Sequence, residues 1–161
     1  MDYKRLISIA VLFLLLVFPV SASMVSFLVV ETGLSEETNT QYGSIWEGGL
    51  MEVFFDAGHI VTNSPIARIE NKPENDISGP IGNDFFEAAV NGAEYFVLCY
   101  LEYQNKSRSV PNAMVIKIYN INAQKLIFEK SFPAGTGRSL GDEYQTALNT
   151  GRIIVSNIRD M

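Results

Sequence analysis

The chain of 161 residues holds a single cysteine, Cys99, and a single histidine, His59. One cysteine cannot form a disulfide within the chain, so stability has to come from a hydrophobic core. Cys99 lies in an apolar stretch, which predicts a buried thiol that packs as a small hydrophobic side chain. One histidine excludes a multi-histidine metal site, and we expect His59 to be structural. These scarcities predict no metal, no cofactor and no catalytic residue.

Basic residues are also scarce, because 12 lysines and arginines stand against 18 acids, for a net charge of −6. Such a chain is repelled by phosphate backbones, so we predict no binding to nucleic acid. Glu31 and Glu94 are candidates for a glycosidase-type carboxylate pair, but their spacing in the sequence alone cannot bring them together. The glycine-rich segment 135–141 lacks the Gly-Lys-Ser/Thr ending of a P-loop, which favours a flexible connection.

One long uncharged apolar run stands at the N-terminus. A short basic start precedes this run over residues 6–20, and small residues follow up to Ala22. This order is typical of a secretory signal peptide. We therefore predict a signal peptide over residues 1–22, cut after Ala22, and a single globular domain over residues 23–161. An uncleaved membrane anchor is the alternative, because the uncharged stretch extends through Val30.

The domain begins with a strand and a long helix. Residues 24–31 are a β-branched apolar run, which predicts a buried strand. Residues 42–57 place apolar side chains three and four positions apart, which predicts a helix that ends at Gly58. Thr38 and Gln41 have the spacing of a capping box before this helix.

The adjacent pair Gly48 and Gly49 is unfavourable inside a helix, by about 1 kcal/mol per glycine relative to alanine. We therefore expect a close approach of this helix to the sheet. A compensating contact of that kind is what would favour glycine at these positions.

The remaining pattern predicts strands at 59–62, 94–103, 113–120 and 125–132, helices at 84–90 and 142–158, and a long loop over 63–82. The order β-α-β-α-β-β-β-α predicts an α/β (α+β) fold, with a single mixed sheet of about five strands and three helices. Further expectations concern helix caps at Asn83 and Ser139, inward-facing Phe85, Ala88 and Ala89, and a shared strand face for Leu126, Phe128 and Phe132.

Three stretches carry a family resemblance. Residues 91–97, Asn-Gly-Ala-Glu-Tyr-Phe-Val, enter a predicted central strand, and residues 115–127 form a predicted hairpin. With the first strand and the helix ending at Gly58, they resemble the amino-terminal domain of TolB and the curli-secretion-like periplasmic α/β domains. The hairpin turn differs, since Ala123-Gln124 stands where the family commonly has Thr-Gly, and no propeller follows. The resemblance implies a binding or scaffolding role in the cell envelope and transfers no catalytic residue.

Two candidate surfaces follow from these patterns. Met51 and Phe55 lie beside the apolar stripe of the first helix, and we expect them either to widen its core-facing side or to form a partner-binding patch. Glu31, Thr32 and Arg138 are candidate ligand-binding residues in a cleft beyond the carboxyl ends of the early strands.

The leading hypothesis is an exported, periplasmic, non-enzymatic interaction or scaffolding module of the bacterial envelope. We expect it to bind another envelope protein or further copies of itself, and to meet the membrane only if the N-terminal segment stays attached. A small-ligand-binding periplasmic protein is the alternative, and a hydrolase comes third.

Overall fold

The computed structural model describes residues 22–34, 41–104 and 110–159. The predicted leader lies outside the described residues apart from Ala22, as does Thr38 of the predicted capping box. The described part contains no helix long and apolar enough to cross a membrane. The elements in chain order are β1 (Met24–Thr32), α1 (Tyr42–Asp56), β2 (Ile60–Asn63), β3 (Ala67–Ile69), α2 (Pro80–Val90), β4 (Tyr95–Glu102), β5 (Ala113–Asn120), β6 (Lys125–Pro133) and α3 (Leu140–Arg159).

The strands form one mixed sheet of six strands in the order β2-β1-β4-β5-β6, with β3 also paired to β1. β1 runs parallel to β2, β3 and β4, whereas β5 runs antiparallel to both of its neighbours, β4 and β6. The predicted mixed α/β order is therefore confirmed, with one strand more than expected. The additional strand, β3, lies in the segment that was predicted to be a long loop. It was not predicted because it has only three residues, with a charged residue in the middle, and so shows no periodic apolar pattern.

Two hydrophobic clusters cover the two faces of the sheet. On the first face, α1 and α3 pack over alternate residues of the central strands, including Phe27, Cys99 and Ile116. On the second face, α2 packs over the intervening residues, including Leu28 and Phe96. β1 and β4 are buried on both sides, which explains why their sequences are nearly continuous apolar runs.

The two helices of the first face approach each other closely at Gly49. A Cβ placed on Gly49 would lie 2.7 Å from the Cβ of Ala147 in α3, whereas one on Gly48 would meet nothing nearer than a Tyr144 ring atom at 3.8 Å. Gly151 makes the reciprocal approach, since a Cβ there would lie 3.0 Å from the Cβ of Val53. The expectation of a close approach to the sheet is therefore wrong, because the approach is to α3 and involves only one glycine of the pair.

The helix ends agree with the sequence pattern in part. Gly58 follows the end of α1 with a φ of +91°, as predicted for a C-terminal glycine. Gln41 is the N-cap residue of α1 but makes no capping hydrogen bond through its side chain. Ser139 caps α3 as predicted, because its Oγ accepts the backbone N–H of Asp142 at 3.2 Å while the Asp142 carboxylate accepts the N–H of Ser139 at 2.9 Å.

The prediction for the start of α2 is wrong. The helix begins at Pro80, whose ring fixes φ at a helical value and whose missing N–H is not needed in the first turn. Asn83 is therefore a residue of the first helical turn and not the cap. Phe85 and Ala88 face the core as expected, but Ala89 is exposed.

The register of β6 corrects a further prediction, that Leu126, Phe128 and Phe132 share one face. Ile118 pairs with Phe128 and Tyr119 pairs with Leu126, so Ile127 is an extra residue that forms a β-bulge. An extra residue shifts the alternation of the strand by one position. The side chains that precede it in β6 therefore lie on the opposite face of the sheet from the one that regular alternation predicts. Leu126 therefore shares the second face with Tyr119 instead of the first face with Phe128.

Candidate functional site

Helix α2 has an apolar flank that the described residues leave exposed. Phe86 and Val90 lie one helical turn apart and are 67% and 68% exposed. At about 100° per residue, Phe86 and Val90 lie about 100° and 140° around the helix from the buried Phe85. The exposed Ala89 lies between Phe85 and Phe86 in this view along the helix axis. We call Phe86, Ala89 and Val90 the α2 patch. Large apolar side chains that are exposed together mark binding surfaces more often than isolated ones do.

A groove of about 380 Å³ runs along the α2 patch. One wall is the flank of α2, and the other is the turn between β5 and β6. The lining residues are Ile77, Gly82, Phe85, Phe86, Ala89, Ile121 and Gln124. The patch therefore combines protruding apolar side chains with a neighbouring apolar depression.

The outer strand β6 extends this apolar surface. Leu126 lies opposite Tyr119 on the second face and is 36% exposed. The Tyr119 ring stands 6.1 Å from the ring of Phe85 in an edge-on arrangement, which joins this part of the sheet to α2. Of the two acids of α2, Asp84 lies about 120° around the helix from Val90, whereas the exposed Glu87 lies only about 60° from Val90 and borders the apolar surface.

Phe55 and Met51, the partner-binding residues predicted from the sequence, differ in exposure. Phe55 is 66% exposed near the end of α1. Met51 is half-buried and packs against the first-face cluster. The structure therefore leaves Phe55 as the accessible member of this predicted pair.

A second cavity, of about 590 Å³, lies beyond the carboxyl ends of β1 and β4. Its lining residues are Thr32, Gly33, Glu70, Asn71, Lys72, Glu102, Tyr103, Gln104, Asn112 and Ala113. Lys72 Nζ lies 2.6 Å from Glu102 Oε1, and the same ammonium lies 4.7 Å from the centre of the Tyr100 ring. Most of these groups are polar, so this polar cleft differs in chemistry from the α2 groove.

The polar cleft contains one of the three ligand-binding residues predicted from the sequence. Thr32 lines it, whereas Glu31 lies on the first face and is only 1% exposed. The Glu31 carboxylate accepts a hydrogen bond from Arg68 Nε at 2.8 Å and a longer one from the Tyr103 hydroxyl at 3.4 Å. Arg138 is exposed in the segment between β6 and α3 and is not among the cleft-lining residues.

A buried polar cluster fastens the segment 70–79 to the second face. The Asp76 carboxylate accepts hydrogen bonds from the Tyr100 hydroxyl at 2.7 Å, the Tyr119 hydroxyl at 2.6 Å and Lys117 Nζ at 2.6 Å. Burial acts to raise the pKa of Asp76, but these hydrogen bonds outweigh it and hold the pKa below its usual range.

The same contacts shift the pKa values of the partners of Asp76. Burial first, and then the hydrogen bond to Asp76, raises the pKa of Tyr100 and of Tyr119. Burial acts to lower the pKa of Lys117, but the contacts to Asp76 and Glu129 raise it above its usual value. Sequence reasoning missed this cluster, and its one available signal was a lysine and a tyrosine alternating with apolar residues in β5. The arrangement is a structural clamp, because every group satisfies another inside the fold.

Glu143 performs a similar task on the first face. It is 1% exposed, and its Oε1 accepts hydrogen bonds from Trp46 Nε1 at 2.8 Å and from the backbone N–H of Gly135 at 2.7 Å. These contacts tie α1, α3 and the segment after β6 together.

Within the described ranges, no group of three or more His, Cys, Asp or Glu side chains is placed to hold a metal ion. Cys99 is fully buried, and burial raises the pKa of its thiol.

The fold and surfaces define a small α+β domain with a helix-borne apolar surface and a separate polar cleft. The chain belongs to a family described as uncharacterised protein, whose model matches residues 24–134. No curated protein matches the chain.

The chain is similar to solved structures from several bacteria. The PelC dodecamer from Paraburkholderia phytofirmans has a TM-score of 0.51 at 12% identity, covering 80% of this chain and 84% of that one. TolB from Acinetobacter baumannii has a TM-score of 0.42 at 12% identity, covering 84% of this chain and 27% of TolB. The C-terminal domain of LpoB from Salmonella enterica has a TM-score of 0.41 at 14% identity, covering 76% of this chain and 90% of that domain. At these identities the PelC likeness concerns the fold alone.

Proposed function

We propose that the chain is an exported, non-enzymatic interaction module of the bacterial cell envelope, and that it docks other protein through the α2 patch. The observation that carries this proposal is the pair Phe86 and Val90, two large apolar side chains on one flank of α2, each about two-thirds exposed. Leaving such surface in water is unfavourable by about 25 cal/mol per Å². A surface of this kind is stabilised when a partner covers it.

The two sheet edges are poorly suited to the same task. The edge strand β6 carries the bulge at Ile127, the exposed Lys130 and a terminal Pro133 that cannot donate a hydrogen bond. The opposite edge is interrupted between β2 and β3 by residues 64–66, which include Pro65. Bulges, edge lysines and prolines are features that prevent a further strand from adding to a sheet. A helix surface is therefore the better candidate for docking.

A non-enzymatic role is supported by the way the buried acids are used. Glu31, Asp76 and Glu143 each accept hydrogen bonds from residues that hold two parts of the fold together. None of the three lines the polar cleft. A catalytic carboxylate needs access to substrate in a cavity.

Export is supported by the leader pattern of residues 1–22. Intact mass of the protein purified from its native cell tests this part of the proposal. We expect a chain that begins at Ser23 in the soluble envelope fraction. A full-length chain in the membrane fraction would establish the anchor alternative.

A small-ligand role is the second candidate, and the polar cleft of about 590 Å³ is the observation that favours it. Thr32 and the Lys72–Glu102 pair would supply its polar contacts. Ligand binding by Glu31 or Arg138 stays a prediction from the sequence alone. Native mass spectrometry of the protein purified from its own cell tests this candidate. The small-ligand role requires a small molecule bound to the parent chain and its loss in the Lys72→Met variant.

The docking surface is tested by incorporating a photocrosslinking phenylalanine analogue at position 86 or at position 55 in the native cell. The two positions form a matched pair, because Phe86 and Phe55 are 67% and 66% exposed and both lie on helices. We expect a discrete protein adduct from position 86 and none from position 55. Adducts from position 55 alone would move the docking surface to α1, and the absence of adducts from both would refute the proposed function.

A further inference from the structure

The segment 70–79, between β3 and α2, contributes a wall to both the polar cleft and the α2 groove. We call this segment the strap. Glu70, Asn71 and Lys72 of the strap line the polar cleft. Ile77, near its other end, lines the groove beside the α2 patch. The two surfaces therefore share one short piece of chain.

The strap is held by few contacts. It lies outside the hydrogen-bond ladder of the sheet, because β3 ends at Ile69 and α2 begins at Pro80. Within the strap, which the structure describes in full, Asp76 is the only buried residue, and most of the others are exposed. A segment with so little buried surface opens locally at a lower free energy than the core does.

Tyr100 joins the two ends of the strap. Its hydroxyl donates a hydrogen bond to Asp76 Oδ1 at 2.7 Å, and the centre of its ring lies 4.7 Å from Lys72 Nζ. Lys72 Nζ also lies 2.6 Å from Glu102 Oε1, so an ion pair holds the cleft end as well. The contacts in the cleft and the clamp at Asp76 therefore hold the strap against the same buried tyrosine.

The clamp at Asp76 fixes a wall of the α2 groove. Ile77 follows Asp76 directly and packs against the second-face cluster. A Cβ placed on Gly82 of α2 would lie 2.9 Å from the backbone oxygen of Ile77, so the strap also approaches the first turn of α2. When Asp76 leaves its partners, Ile77 has to move with it, because neighbouring Cα atoms are only about 3.8 Å apart. The groove then loses this wall.

We infer that the strap couples the polar cleft to the α2 groove, because both surfaces are complete only while the strap is held. This inference rests on the proposed function and names a way in which its docking surface is regulated. The apparent affinity for a docked protein then scales with the fraction of chains whose strap is held. A molecule that binds the cleft only with the strap held raises this fraction and strengthens docking, since both binding events need the same ordered segment.

The contacts in the cleft make a modest contribution that can be measured. The side chains of Lys72 and Glu102 are 34% and 38% exposed, so their ion pair contributes little, and the contact with the Tyr100 ring adds to it. Lys72→Met removes both contacts and should raise the equilibrium constant for opening of the strap about 5-fold to 10-fold. Asp76→Asn takes a charge from its buried partners and should raise this constant about 100-fold.

Hydrogen exchange of individual backbone amides, followed by NMR in the purified chain, tests the coupling without any partner. The amides of Ile77 and Gly82 each donate a hydrogen bond at the groove end of the strap, of 3.1 Å and 3.2 Å, and report on its opening. The amides of β4 report on unfolding of the whole domain. We expect Ile77 and Gly82 to exchange faster than β4, and Lys72→Met to raise their exchange about 5-fold to 10-fold.

Lys130→Met is the matched control for Lys72→Met. Lys130 Nζ also lies over an aromatic ring, 5.4 Å from the centre of Phe132, but it belongs to β6. This variant should leave exchange at Ile77 and Gly82 unchanged. The double variant of Lys72→Met and Asp76→Asn should release the strap in at least about half of the chains, with the amides of β4 still protected.

The photocrosslinking analogue at position 86 extends the test to docking in the native cell. We expect the adduct per chain to decrease from the parent to Asp76→Asn and further to the double variant, in step with the held fraction that exchange gives. Glu143→Gln alters a buried acid of the first face and should leave the adduct unchanged.

The possible results separate this inference from the proposed function. Exchange at Ile77 and Gly82 that Lys72→Met leaves unchanged, or a strap that stays held in the double variant, overturns the inference. An adduct at position 86 that persists while the strap is released also overturns it, and leaves the docking surface in place. If the parent itself gives no adduct, the proposed function fails, and exchange still decides whether the cleft and the groove are coupled.

Discussion

Alanine substitution at the two adjacent glycines of α1 should change stability in opposite directions. Gly48 is exposed, and a Cβ there would make an ordinary contact at 3.8 Å. Gly48→Ala therefore gains helix propensity alone and should raise the free energy of unfolding by about 1 kcal/mol. At Gly49 the same gain is opposed, because the new Cβ would lie 2.7 Å from the Cβ of Ala147.

The size of the opposing effect follows from the distance. Carbon atoms pack at about 3.5–4.0 Å, so α1 and α3 would have to separate by about 1 Å. Forcing extra volume into a packed contact costs about 1–3 kcal/mol. After the gain in propensity is subtracted, Gly49→Ala should lower the free energy of unfolding by up to about 2 kcal/mol.

Urea unfolding followed by the fluorescence of Trp46, the single and fully buried tryptophan, measures both changes. Adding Ala147→Gly should relieve Gly49→Ala by about 1–3 kcal/mol in a double-mutant cycle, and should not affect Gly48→Ala. Equal shifts of the same sign for both glycine variants would refute the argument that the helix–helix contact selects glycine at position 49.

Three further predictions concern buried groups. Glu143→Ala should lower the free energy of unfolding by about 2–4 kcal/mol, because the buried Trp46 Nε1 and the half-buried N–H of Gly135 lose their acceptor. Glu143→Gln keeps an acceptor oxygen and should lose less, and equal losses in urea unfolding would contradict this. Asp76 has a lowered pKa in the folded state, so its contribution is present above about pH 4 and is lost as the pH falls below that value. Asp76→Asn should lower the free energy of unfolding at neutral pH by about 3 kcal/mol. Unfolding curves from pH 7 to pH 3 should also show that the free energy of unfolding of this variant depends less on pH than that of the parent. An unchanged pH dependence would exclude Asp76 as its source. Cys99 should react with a thiol reagent only on unfolding, because it is buried with a raised pKa, and fast labelling of the native protein would place it nearer the surface.

Much of the fold could be predicted because the pattern of buried side chains is local. The nearly continuous apolar runs of β1 and β4 indicated strands covered on both faces, and both are buried on both faces. Alternation in β5 correctly placed Met114, Ile116 and Ile118 on one face. The three helices were found from their apolar spacing, although α2 begins at Pro80, four residues earlier than predicted.

The candidate site was less predictable. The sequence left open whether Phe55 widens the core-facing side of α1 or is exposed, and the structure leaves it exposed. Helical spacing correctly predicted that Phe85 faces the core, but it also predicted this of Ala89, which is exposed because of how α2 lies on the sheet. Thr32 lines the polar cleft, whereas Glu31 is buried and paired with Arg68, which is 37 residues away in the chain.

By itself the sequence determined the α+β class, the order of its long elements and the acidic, single-cysteine chemistry of the chain, because these follow from composition and from neighbours a few residues apart. Tertiary structure decided the pairing of β3, the bulge at Ile127, the clamp at Asp76 and the uncovered flank of α2. Each of these depends on contacts between residues far apart in the chain. Such contacts leave no local period, so they are settled only when the whole fold brings their partners together.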